Sequence, residues 1–276
     1  MARIEWRLLR VIAAKEFRER LRNRWVLAVA LVFAVFALTI AYFGSAQQGM
    51  VGFHGIDVTI ASLVSLVIYL VPLIALILGF DAIVGERERG SLDLLLSLPL
   101  TRAELLLGKF LGLSATLALS TVVGFGLAGV ALAVQGQGTD ALLHYAGFVL
   151  SAVLLGMSFL SMAVALSVIT TDRARASGAA IALWFGFVLV FDLLLLGALV
   201  TVGDSPLGAR VLPYLLLLNP ADVFRVLNVF GFDSVKVFYG LATVFPDTLT
   251  SPWVLGGVML AWIVLPLGFA LWRFRQ

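Results

Sequence analysis

Cysteine is absent from all 276 residues, so neither disulfides nor thiolate metal sites can form. Histidine is scarce: only His54 and His144 occur. An intramembrane hydrolase needs a nucleophile with a base, or a metal with ligands, and the chain has no G-x-S-x-G, no H-E-x-x-H and no paired histidines. It is therefore not expected to be an enzyme. A G-x-x-x-x-G-K-[ST] loop for nucleotide phosphates is also missing, so any ATP that drives this chain must be bound by another. Soft-metal ligands are sparse. Met157 and Met162 lie five apart, off a common helical face, while Met50 and His54 lie four apart in the first external loop. No metal or cofactor site is expected in the chain.

Charge is scarce too, at 13% of residues, against 62% apolar residues and a mean hydropathy of +1.08. That is more apolar surface than one water-soluble core can bury, so the solvent of this fold is lipid. Uninterrupted apolar runs at 25–43, 58–80, 105–134, 143–169, 177–202 and 253–272 each reach the roughly 20 helical residues that cross a hydrocarbon core of about 30 Å. The expected fold is all-α: a polytopic membrane protein of six transmembrane helices in one domain, 1–276. A β-barrel would show short alternating strands instead. The third run exceeds the bilayer, which places its Leu105 to Lys109 end in water. Pro72 and Pro266 fall inside the second and sixth spans and mark expected bends.

Basic residues are distributed unevenly between the loops. Sixteen of the nineteen lie in the N-terminal segment, the loops after the second and fourth spans, and the tail. The other side has only Arg210, Arg225 and Lys236, so the positive-inside rule puts both termini in the cytoplasm. Gly44-Ser45-Ala46 resembles a signal cleavage site, but the charged lead of 24 residues is too long for one, and the first helix is expected to stay uncleaved. Within residues 1–24, Ile4, Leu8, Val11 and Ile12 share one helical face, while arginines occupy much of the rest. Such a helix suits the inner leaflet's surface, and a plain topogenic charge cluster is the simpler alternative.

The cytoplasmic loop at 81–104 is the most informative segment. In Glu86-Arg-Glu-Arg-Gly90-Ser91-Leu-Asp93-Leu-Leu-Leu-Ser97-Leu-Pro99, Gly90 interrupts a charged run, Ser91 can cap a short helix, and Pro99 ends it. Leu92, Leu95 and Leu96 on that helix need a protein partner or the bilayer surface. This run, continued through Thr101-Arg102-Ala-Glu104 to Gly108-Lys109, resembles the coupling-helix loop of ABC-2 type (type V) ABC transporter permeases. The resemblance implies a homodimeric permease with an N-terminal interfacial helix, whose loop docks on a separate ATPase subunit that binds ATP and Mg. Glu86, Glu88, Arg89, Leu92, Leu95 and Leu96 are the ATPase-coupling residues it carries over.

Leu218-Asn219-Pro220-Ala221-Asp222-Val223-Phe224-Arg225 is similar to the segment before the sixth span in permeases of transporters that help assemble the copper centre of nitrous oxide reductase. That narrower resemblance implies a bacterial inner-membrane complex of two permeases, two ATPases and a periplasmic β-helix protein. The external segment 203–252 contains apolar runs too short to cross, which suits interfacial or re-entrant helices. Asp222, Arg225, Asp233 and Lys236 within it are available for docking the periplasmic partner, and a structural lid is the alternative reading.

Asp192, near the middle of the fifth span, must face protein or water. A polar contact across the dimer is the favoured role, with path-lining or proton binding as alternatives. A six-span secondary transporter driven by protons through Asp192 is accordingly the competing function. Ala182 and Gly186 on the same span form a small-xxx-small pair that permits close helix approach. No nucleic-acid partner is expected.

Overall fold

The computed structural model describes residues 5–22, 24–43, 56–134, 138–202, 205–229 and 251–275. Those residues are helical, with no strand among them. The first helix, α1 (Trp6–Arg22), is amphipathic and leaves its basic face exposed. Arg24, at φ 55°, turns the chain into α2 (Trp25–Phe43), the first span. Next come α3 (Ile56–Gly79), the short α4 (Val84–Glu88) and α5 (Ser91–Leu96), then the long α6 (Arg102–Val134) and α7 (Thr139–Ile169). The fifth span is built from α8 (Arg173–Phe185), a π-helical turn at Gly186–Val190, and α9 (Phe191–Val202). Two shorter helices, α10 (Pro206–Leu216) and α11 (Pro220–Val229), precede the last span, α12 (Pro252–Arg275).

Six of these helical stretches are long and apolar enough to cross a membrane, in agreement with the expected six-span, all-α architecture. Helices α3 and α12 run through Pro72 and Pro266 without ending. The centre of the bundle is α7, 78% buried over its most apolar stretch, whereas the fifth span is only 11% buried. Packing against α3, α6 and α12 buries α7, which therefore carries small and hydroxylated residues. Ser158 and Ser161 bond back to carbonyls one turn earlier and also face Met259 O and Trp262 O of α12. Bonding within the helix satisfies the hydroxyls and lets the two backbones approach.

Close approach also fixes α1. A side chain at Gly108 or Gly112 of α6 would meet Ile12 Cβ or Glu16 Cβ of α1 at 2.7 Å. Gly108 and Gly112 form one small-xxx-small face, and α1 lies on it. Higher on α6, Gly124 meets Phe33 of α2 in the same way. Phe33 stacks on Phe125 at 4.9 Å, and Phe125, Phe148 and Phe224 continue an aromatic chain from α2 through α6 and α7 to α11. By contrast, Gly186 of the expected Ala182/Gly186 pair has open space around it and begins the π-helical turn.

Helices α10 and α11 meet at a corner, residues 217–219, with α10 packed on α9 and α11 on α3, α7 and α12. This corner reaches the middle of the bundle, where Asn219 Nδ2 donates to Phe187 O at 2.8 Å and Trp262 Nε1 donates to Leu217 O at 3.0 Å. Phe187 and Trp262 both sit midway along their spans. Toward its far end, α11 packs on the N-terminal half of α7, where Asn228 Nδ2 donates to Ser151 Oγ at 2.9 Å.

Candidate functional site

At the basic end of the bundle, α4 and α5 project from the foot of α3. Ser167 near the end of α7 sets the start of α4, because its hydroxyl accepts from the amides of Ile83 (2.9 Å) and Val84 (3.0 Å). Those two amides would otherwise be orphan donors at a helix start. Arg87 donates to Thr170 O at 2.6 Å and Val168 O at 3.2 Å, tying α4 to the C-terminus of α7. Gly90 then takes φ 68°, which a glycine adopts without Cβ strain, and the chain turns into α5. Ser91 is the first residue of α5 and not its cap: its hydroxyl donates to Glu86 Oε2 and to Glu86 O.

The expected coupling residues divide into two groups. Glu86 points inward, accepting from Lys109 Nζ at 3.0 Å, and the same ammonium meets Glu16 Oε2 of α1 at 3.2 Å. One buried lysine thus joins α1, α4 and α6. Glu88 accepts from the Arg173 amide at 2.7 Å, at the start of α8. Asp172 caps that helix by accepting from the Arg175 amide at 2.8 Å, and this bond holds its carboxyl below the usual carboxylate range. Leu92, Leu95 and Leu96 are half-buried against the protein's own core. Glu86 and the three leucines thus also orient the loop from within the protein, while Glu88 makes its contact at the exposed surface. Arg89 remains exposed, as do Asp93, Leu94 (71%) and Leu98 (52%). Leu94 and Leu98 were not singled out in the sequence, although helical spacing puts Leu94 on the face of α5 opposite Leu92 and Leu96.

The beginning of α6 carries a capping box. Glu104 accepts from the Thr101 amide and hydroxyl at 2.7 and 2.8 Å, Thr101 Oγ1 accepts from the Glu104 amide, and Glu104 also accepts from the Glu5 amide at 2.6 Å. The T-x-x-E signal was legible in the sequence; its reach to α1 was not.

In mid-bundle, a second charged cluster assembles. Arg225 donates to Asp222 at 2.5 Å and to Asp192 at 2.7 Å, and Asn219 donates to Asp222 at 3.0 Å. Asp222 is completely buried. It is therefore withdrawn from the expected docking surface, and Arg225 is committed to the same cluster. Asp192, expected to pair across a dimer, has a partner in its own chain. Asp233, Lys236 and His54 lie outside the described residues. No grouping of three or more metal-ligating side chains occurs among the described residues.

Residues 10–276 match the family model of ABC-2 family transporter proteins. The chain belongs to this family. It is 46% identical over 268 residues to the probable ABC transporter permease protein NosY of Stutzerimonas stutzeri, covering 96% of this chain and 97% of that protein. The NosY of Pseudomonas aeruginosa PAO1 is likewise 46% identical over 270 residues, with the same coverage. This ABC-2 permease is the multi-pass membrane subunit of an ABC transporter, and its function calls for an ATPase partner.

Proposed function

We propose that the chain transmits ATP-driven motion from a NosF-like ATPase, docked on α5, through the bundle to a periplasmic NosD-like partner during maturation of the nitrous oxide reductase copper site. The observation that carries this reading is the near-full-length similarity to two NosY permeases, combined with a projecting helix whose exposed leucines, Leu94 and Leu98, are left uncovered by the described residues. ATP and Mg belong to the ATPase; the permease holds no cofactor and performs no chemistry of its own. Two copies form the working unit, and the low burial of the fifth span supports that pairing. Both termini lie in the cytoplasm of the bacterial inner membrane, with 1–24 and 81–104 on that side and 203–252 on the other. Of the external candidates, Asp233 and Lys236 remain for the NosD-like partner.

Proton-driven transport through Asp192 is less favoured, since the Arg225 pair engages that carboxylate. Expressing the tagged permease with a NosF-like ATPase tests the proposal. The ATPase should co-purify, and single cysteines in Ser91→Cys and Arg275→Cys variants should react only from the cytoplasmic side. A wild-type permease that retains no ATPase, yet moves solute on a proton gradient alone, would refute it.

A further inference from the structure

Three arginines from three different helices converge on a cavity of about 360 Å³ beneath α5: Arg87 of α4, Arg102 of α6 and Arg273 of α12. Arg87 spends its donors on the carbonyls at the end of α7, and Arg102 donates to Phe274 O at 2.9 Å while lying over the Phe274 ring. Carbonyl partners orient a guanidinium without cancelling its formal charge. Among the described residues, neither Arg87 nor Arg102 forms a salt bridge, and Asp93 is the one carboxylate lining the cavity. Arg87 and Arg102 against Asp93 alone leave the lining net positive. Leu92, Leu96 and Phe274 give it an apolar wall. It sits where α6 begins and α7 and α12 end, the level of lipid headgroups, beside the exposed Trp272.

We propose that this cavity binds the phosphate headgroup of an anionic phospholipid from the leaflet at the basic end, with an acyl chain descending along the apolar wall. Arginine presents a planar fork suited to phosphate oxygens, and basic pockets between membrane helices recognise anionic headgroups. An acidic segment of the ATPase is the competing occupant. Depth and the apolar wall favour lipid, because the exposed leucine of α5 points away from the cavity. The proposal rests on the orientation given above only for which leaflet is meant.

Native mass spectrometry of the full chain in detergent, with dioleoyl phosphatidylglycerol or phosphatidylcholine added, reads the site directly. Wild type should retain phosphatidylglycerol over phosphatidylcholine. Each headgroup-facing arginine contributes about fivefold, so Arg102→Gln/Arg273→Gln should weaken retention about 25-fold. Because Arg102 also ties down the end of α12, Thr171→Asp supplies a second test: it adds a negative charge at an exposed cavity position and should weaken retention about fivefold. The equally discharged Arg10→Gln/Arg22→Gln control should bind as wild type does. Equal retention of both lipids, an unchanged Thr171→Asp variant, or equal loss in the control would overturn the site. Displacement of phosphatidylglycerol by millimolar inorganic phosphate, without lipid selectivity, would assign it to a free anion. Loss of the ATPase from these variants at unchanged lipid retention would assign it to the protein partner; either result overturns the lipid proposal.

Discussion

Lys109 joins three helices at the basic end. Its ammonium is buried between Glu16 and Glu86, which come from positions 93 and 23 residues away in sequence. Leaving a buried charge fully uncompensated typically costs about 3 to 5 kcal/mol; here Glu16 would keep Arg20 at 3.3 Å and Glu86 would keep Arg89 at 3.6 Å, so the cost falls below that range. Lys109→Met should therefore lower the thermal unfolding midpoint of the detergent-solubilised chain clearly, and Lys109→Arg much less. An unchanged midpoint for Lys109→Met would mean that the network contributes little. None of this pairing was legible in the sequence, where Lys109 counted toward the excess of basic residues on one side and marked an end of the third span expected in water, whereas it is buried. The same limit applies to Asp222 and Arg225, which read as an exposed external pair because nothing local shows that their helix re-enters the bundle. Asp192 was legible as an intramembrane carboxylate, since burial in an apolar run needs no long-range information; its partner was not.

At the scale of helices, the spans were largely legible. The run at 25–43 coincides with α2, and that at 58–80 differs from α3 by two residues at its start and one at its end. Hydrophobic length alone decides such segments. It does not reveal how helices meet, so α1 was only a candidate surface helix, although Gly108 and Gly112 provide its seat. Gly112→Val would place methyl groups where Glu16 and the Ala13 backbone now lie. Overpacking of this kind costs about 1 to 3 kcal/mol. Hydrogen exchange should therefore rise across residues 6–22 and remain unchanged in α7. Uniform protection along α1 in the variant would show that the helix is held by its charges instead. The π-helical turn likewise left no readable mark, because Gly186–Val190 has the composition of any membrane helix.

For the whole molecule, span number and family rest on patterns spread over the chain, and these were the most legible features of all. The short helix α5 was legible as a segment, but which of its leucines face the protein was not, since a six-residue helix offers leucines to both sides and only packing decides which ones turn inward. Leu94 and Leu98 point out, and apolar anchors at an interface usually carry more binding energy than rim charges. Co-purification of the NosF-like ATPase with a Leu94→Asp/Leu98→Asp permease is thus the most direct test of how the chain couples. The variant should insert normally, keep its thermal midpoint and lose the ATPase on purification. Retention of the ATPase at wild-type yield, with ATP-dependent function intact, would contradict α5 as the point of contact.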